Sequence, residues 1–476
     1  MTEACARRSA DTRREHDLIG DMDVCARSYY GVHTARAVRN FAISGTPIAA
    51  YPALVTALAA VKQAAATANR DLGLLDPITA NAVIAACERI RAGEFHEQFV
   101  VDSIQGGAGT STNMNANEVI ANVALEILGL PKGTYSAVHP LDHVNLGQST
   151  NDVYPTAVKI ALDAGITDLR TEIAALRMAF ERKAREFTDV LKVGRTQLQD
   201  AVPMTLGQEF AAYAVTVSED GERLEEARLL LHELNIGGTA IGTGLNTHPE
   251  YQALALAELR TLTGIDSLVG AKDLIEATQD VGVFVQLSGV LKRVSVKLSK
   301  ICNDLRLLSS GPTAGFGEIT LPACQAGSSI MPGKVNPVIP EVVNQIAFEV
   351  IGHDLTVTLA AEGGQLQLNA FEPIIARSLF SSLDHLAAGI HTLTTNCIVG
   401  ISANTERLRS SVAASASLVT VLSPVIGYAA ATAIATEALN AGRGITELAL
   451  EQDLLTREQL DSLLSPAHLT GRRSNH

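Results

Sequence analysis

Four short segments of this 476-residue chain concentrate side chains suited to holding anionic oxygen. They are Gly106–Asn117 (GGAGTSTNMNAN), Gly147–Asp152 (GQSTND), Gly194–Asp200 (GRTQLQD) and Gly327–Pro337 (GSSIMPGKVNP). Each interleaves hydroxyls, amides and glycines. The last adds a cation, Lys334, to Ser328, Ser329 and Asn336. Read singly, each pattern is more often a turn or a helix cap than a site, because the same residue types serve both purposes. Two other readings fall away. Gly333-Lys334 is followed by Val335 rather than Ser or Thr, and the upstream glycine spacing does not make a phosphate-binding loop. His139 and His143 have the i, i+4 spacing of a helical zinc pair, but Pro140 and the missing glutamate argue against one.

The elements that must position these segments are read from proline. Long proline-free gaps run from Pro155 to Pro203, Pro203 to Pro249, Pro249 to Pro312, Pro340 to Pro373 and Pro373 to Pro424. Proline inside a helix costs about 3 kcal/mol, so these gaps predict long helices. Apolar residues recur at helical steps over Thr156–Val190, Leu206–Leu234 and Leu274–Leu308. A fourth helix is expected after Pro340 and a fifth after Pro373. Helices of about 35 residues would span roughly 50 Å, and five of them suggest a bundle. The four polar segments are expected as loops between helices. The chain before Leu141 and after Asn404 has shorter helical patterns and more breaks. The predicted division is 1–148, 149–404 and 405–476.

Composition narrows the function classes. Lys and Arg total 37 against 51 Asp and Glu, a formal charge of -14, which argues against a nucleic-acid partner. Charged residues are only 18% and hydrophobic ones 47%, consistent with surface hidden against other subunits. The six cysteines form no C-x-x-C pair, and scattered thiols fit a reducing cytoplasm. The polar stretch Met1–Glu15 lacks the apolar core of a secretory signal, and no apolar run of about 18 residues reads as a membrane span.

Taken together, the four segments resemble the aspartase/fumarase superfamily, whose signature is GSSIMPGKVNP at Gly327–Pro337. The resemblance runs from about Asp17 into the C-terminal region. It implies a mostly α, three-domain fold with a central bundle of about five long helices. It also implies a homotetramer in which three subunits share each active site. YYGVHTARAVRNF from Tyr29, GRTQLQDAVPMTLGQEF from Gly194, KICNDLRLLSSGP from Lys300 and GGQLQLNAFEP from Gly363 look like the ammonia-eliminating branch rather than the hydratase branch. The implied substrate is a small molecule, L-aspartate, deaminated reversibly to fumarate.

That elimination removes a proton from the carbon beside a carboxylate and leaves a doubly charged aci-carboxylate. Each well-placed donor to such an oxyanion is worth about 2.7–4 kcal/mol. By resemblance, Thr110, Ser149, Thr150 and Thr196 are those donors, and Ser328 is the base. A serine base needs its oxyanion held by backbone N–H groups or a cation. By the same resemblance Lys334 and Asn336, joined by Ser329, grip the other carboxylate. Asn151 receives the amino group, and Met331 and Glu341 support the site. Gln197 stands where many relatives carry histidine, and glutamine cannot relay a proton. His139 and Asp142 resemble a second anion site. Pro332, Gly333 and Pro337 suggest a loop that closes as a unit. No cofactor and no metal ligand set is read from the sequence, and nothing in it bears on activation by a divalent cation. The alternatives are a fumarate hydratase, a lyase with a bulkier amine leaving group, and a non-catalytic structural protein on the same fold. The last is disfavoured by the intact Ser328, Lys334 and Asn336.

Overall fold

The computed structural model describes residues 11–328, 330–415 and 417–469. The chain divides into two compact units. One contains Met1–Leu169, Glu222–Lys292 and Glu349–His385; the other contains Arg170–Gly221, Arg293–Phe348 and Leu386–His476. The described residues are mostly helical, and their strands form only two-stranded sheets.

The first unit opens with the antiparallel hairpin β1 (Thr12–Asp17) and β2 (Gly20–Cys25), followed by α1 (Val32–Asn40). Next come α2 (Pro52–Asp71), α3 (Pro77–Arg91) and α4 (Thr110–Ile127). Prolines open α2 and α3 at positions where no intrahelical N–H is needed, and Asp76 caps α3 through the Ile78 and Thr79 amides. α4 is buried along nearly its whole length despite its polar sequence. Among the described residues Asn115, Glu118 and Asn122 there are matched to backbone, whereas the buried Oδ1 atoms of Asn113 and Asn117 have no partner. Asn115 accepts from Val100 N and donates to Gln98 O. Glu118 accepts from Gly31, His33 and Thr34 amides and from the Thr34 hydroxyl. Burying a polar group is costly unless it is paired in this way.

Five long helices follow: α5 (Thr150–Glu186), α6 (Leu206–Leu230), α9 (Gly282–Leu308), α10 (Val338–Glu362) and α11 (Glu372–Asn396). Between α5 and α6 lies the hairpin β3 (Leu191–Thr196) and β4 (Gln199–Thr205). Between α6 and α9 lie β5 (Glu233–Leu234), α7 (Tyr251–Thr263), β6 (Val269–Gly270) and α8 (Leu274–Gln279). Strands β7 (Ile319–Thr320) and β8 (Ser402–Ala403) form another antiparallel pair. Within the first unit, Arg228 on α6 pairs with Asp163 on α5, and Ser288 and Lys292 on α9 hold Asp354 on α10. Within the second, Phe180 packs on Phe210 and Tyr213, and the Tyr213 hydroxyl donates to Asp304. Short C-terminal helices from Thr405 onward enclose a core of Val412, Leu418, Leu422, Ile434 and Leu448, which takes in Val193 from β3.

Two expectations need revision. The segment Leu274–Leu308 is two helices, not one. Asp280 is extended (φ −78, ψ 129), and its Oδ2 accepts from Gly282 N at 3.0 Å, so the short carboxylate ends α8 and opens α9. The polar segments are also less loop-like than expected. Thr110–Asn117 forms the first turns of α4, Thr150–Asp152 opens α5, and the third segment is a β-hairpin. Pro155 sits inside α5 and not before it. Its ring leaves the Asn151 carbonyl without the usual i+4 donor, and Asn235 Nδ2 supplies one at 2.9 Å. Among the described residues no single helix is long and apolar enough to cross a membrane.

Candidate active site

In the first unit three of the four predicted donors, Thr110, Ser149 and Thr150, lie where α4 and α5 begin. α4 starts behind Gly109, held at φ +88 with the Tyr154 ring filling the space of a Cβ; an added carbon there would sit 2.5 Å from that ring. Thr110 is half-buried, and its hydroxyl donates to Gly107 O at 2.7 Å. Ser149 and Thr150 lie at the N-terminus of the 37-residue α5, where the helix dipole favours an anion. Their hydroxyls are occupied as acceptors. Asn151 N donates to Ser149 Oγ at 3.2 Å, and Asn113 Nδ2 donates to Thr150 Oγ1 at 3.0 Å. Among the described residues neither hydroxyl proton has an acceptor. Both are therefore available to an incoming oxyanion. Asn151 spends Nδ2 on Ala240 O at 2.7 Å, which leaves Oδ1 to accept from an ammonium.

Two charged residues that the sequence did not single out underlie this group. Asp152 is buried; it accepts from Ser149 N through Oδ1 and from Gly237 N and Thr239 N through Oδ2. Burial pushes its carboxyl up to about 6 although those three amides oppose the shift. Lys62, on α2, is fully enclosed and donates to Asn145 Oδ1 at 2.8 Å and to Gln148 Oε1 at 2.9 Å. Burial pulls its amine down to about 7, with Asp152 opposing. One signal was present: Lys62 is the lone charge in the apolar run Ala53–Ala68.

In the second unit Thr196, Gln197, Ser328, Met331, Lys334 and Asn336 are exposed, and Glu341 is half-buried in the first turn of α10. Thr196 ends β3, and Gln197 and Leu198 form the two-residue turn into β4. Gly194 faces a bulge in β4, its missing Cβ lying 2.9 Å from Val202 O. The hairpin base is charged: Lys192 pairs with Glu209 and Glu318, and Arg195 reaches Glu318 while stacking on Phe316. Ser328 and the residues from Ile330 to Asn336 are mostly exposed and lie outside any helix or strand, with Gly333 at φ +82. The ends of this segment approach each other, since a Cβ on Gly327 would lie 3.1 Å from Lys334 O. Among the described residues the side chains of Ser328, Lys334 and Asn336 make no hydrogen bond. Ser329 lies outside the described residues.

The histidine pair has a structural explanation. His139 Nδ1 accepts from the Leu141 and Asp142 amides, and His143 Nδ1 accepts from His139 N. Both ring nitrogens are used to turn the backbone through Pro140–Val144. No group of three or more His, Cys, Asp or Glu suited to a metal occurs among the described residues.

Residues 20–352 match the family described as Lyase, and residues 418–471 match Fumarase C C-terminus. The chain belongs to the aspartase/fumarase family of lyases. Within that family it is 59% identical to the aspartate ammonia-lyase of Pseudomonas fluorescens over 98% of this chain and 97% of the relative. The solved structure titled fumarate lyase:delta crystallin from Brucella melitensis, bound to cobalt, matches at TM-score 0.93 and 55% identity. That match covers 96% of this chain and 98% of the other. The class II fumarase of Schistosoma mansoni matches at TM-score 0.90 but only 33% identity, covering 98% and 100%. The chain is thus an enzyme of a lyase family, and nearly twice the identity separates its ammonia-lyase relative from its hydratase one.

Proposed function

We propose that this lyase removes ammonia from L-aspartate to give fumarate, reversibly. The observation that carries the reading is the pair of hydroxyls at the start of α5, Ser149 and Thr150, each accepting one hydrogen bond and with its proton free for a carboxylate. The 59% identity to an aspartate ammonia-lyase selects ammonia over water as the leaving group.

In this mechanism Ser328 takes the proton from the carbon beside one carboxylate. Charge accumulates on that carboxylate as the aci form, and Thr110, Ser149, Thr150 and Thr196 donate to it. Thr110 must release Gly107 O to do so. Lys334, Asn336 and Ser329 hold the other carboxylate, and Asn151 Oδ1 receives the amino group. Gln197 orients substrate without relaying a proton. Glu341 and Met331 back the loop. The ammonia leaves neutral, and no cofactor or metal ion takes part.

The same reading takes the protein as a cytoplasmic homotetramer with sites shared among three subunits, built from segments 1–148, 149–404 and 405–476. In its support, α10 exposes Ile351, Leu355 and Leu359 one turn apart, an apolar stripe of the kind that a partner subunit covers.

The test is fumarate formation, followed by ultraviolet absorbance, with L-aspartate and L-malate offered separately. Fumarate from aspartate alone is expected. Fumarate from malate alone would replace the reading with a hydratase, and silence with both would bring forward the bulkier-amine lyases and a structural role.

A further inference from the structure

Lys62 belongs to neither the proton-transfer nor the carboxylate-binding set, yet it is buried among amides that end on the Thr150 hydroxyl. The chain of hydrogen bonds has four members. Lys62 Nζ donates to Asn145 Oδ1 at 2.8 Å. Asn113 Nδ2 donates to that same oxygen at 3.2 Å and to Thr150 Oγ1 at 3.0 Å. Asn117 Nδ2 also donates to Asn145 Oδ1, at 3.2 Å.

The direction of such a chain matters as much as its existence. A side-chain amide can present either its oxygen or its nitrogen to a neighbour, and a hydroxyl can donate or accept. A lysine amine bonded to two oxygens can only donate to them. It therefore requires an oxygen at Asn145, whose Nδ2 donates to Gln148 O at 3.2 Å, and an oxygen at Gln148, whose Nε2 donates to Val144 O and Leu146 O. With Asn145 fixed as the acceptor, Asn113 must turn its nitrogen inward. Thr150 is then forced to accept, and its proton points away from the protein. If Asn113 turned over, its oxygen would face Asn145 Oδ1 and would capture the Thr150 proton.

We infer that Lys62 is a positioning residue that sets the hydrogen-bond polarity of the Lys62–Asn145–Asn113–Thr150 chain and so keeps the Thr150 hydroxyl a donor toward the substrate carboxylate. The inference rests on the proposed role of Thr150 in binding substrate. Burial draws the Lys62 amine down to about 7, with Asp152 on α5 opposing and Cys87 on α3 the other titratable group facing it. The neutral amine still has two N–H groups for its two oxygens, so the polarity is kept on either side of that pH.

The experiment is a double-mutant cycle with Lys62→Met and Thr150→Val, read as the Kd of fumarate by calorimetry at pH 6.5 and pH 9, with turnover of aspartate in parallel. Lys62→Met is expected to weaken fumarate binding about tenfold at both pH values, and to add little in the Thr150→Val background. An equal further loss in that background, or no loss in the parent, would overturn the relay. Should Lys62→Met fail to fold, Asn113→Leu cuts the same chain beyond Lys62 and carries the same expectations. A parent protein that binds fumarate but turns over no aspartate removes the ammonia-lyase reading and leaves the relay testable by Kd. A parent that binds no fumarate removes both.

Discussion

The two groups of candidate residues are built in opposite ways. Around the start of α5, Lys62, Asn113, Asn117 and Asp152 are buried and each makes hydrogen bonds. In the signature loop Ser328, Lys334 and Asn336 are exposed, and among the described residues their side chains make no hydrogen bond. In the proposed mechanism the first group is a preorganised receptor for a carboxylate, and the second holds the base and the cation on a segment with little packing of its own. A receptor of the first kind loses function through small displacements and is costly to disturb. A loop of the second kind tolerates substitution in folding terms, so that its losses fall on chemistry.

The sharpest way to break this comparison is Ser328→Ala. It should lower kcat by about 10²- to 10⁴-fold with an unchanged Tm; near-normal turnover would remove the base assignment. The glycines offer a matched pair. Gly109→Ala places carbon on the Tyr154 ring at positive φ and should cost about 2–4 kcal/mol. Gly333→Ala, also at positive φ but with open space around it, should cost about 1–2 kcal/mol. Equal Tm shifts would contradict the contrast between packed and open regions. Lys334→Met should raise KM by about 10- to 100-fold through loss of one charge-assisted pair, again without a change in Tm. An unaltered KM would show that Lys334 does not hold substrate.

A pH-dependent effect concerns the packed unit alone. Glu372 is buried, and burial pushes its carboxyl up to about 8, with Lys159 opposing. The folded pKa lies above the unfolded value, so the folded state binds the extra proton. That stability is complete in acid and is lost as pH rises from about 4.5 to about 8. Glu372→Gln removes the titration. The Tm of the parent should therefore fall relative to the variant between pH 5 and pH 8; parallel curves would show that Glu372 does not titrate in that window.

Much of this was legible from the sequence because it depends on local rules. Proline spacing located the five long helices, and the 327–337 motif led to the family. What stayed hidden depends on partners distant in the chain. The break at Asp280 comes from one carboxylate capping the next helix, which the apolar periodicity of Leu274–Leu308 masks. The buried face of α4 reads as a polar loop until Glu118 and Asn115 meet Gly31–Thr34 and Gln98–Val100. Lys62 acquires a role only when Asn145 and Gln148 are brought to it from more than eighty residues away. The zinc-like spacing of His139 and His143 is equally a matter of backbone need, since both rings cap a turn.

The β3–β4 turn carries a lesson for anyone wishing to harden this catalyst. Gln197 and Leu198 both adopt left-handed backbone (φ +53 and +63) in a two-residue hairpin, where Asn-Gly is the comfortable choice. Leu198 is 65% exposed and gives up little packing if removed. Replacing it with glycine should recover about 1 kcal/mol, while the same relief sought at Gln197 would erase a side chain presented at the tip. Directed evolution for heat tolerance would be expected to find the second position of this turn long before it accepts a change at the first.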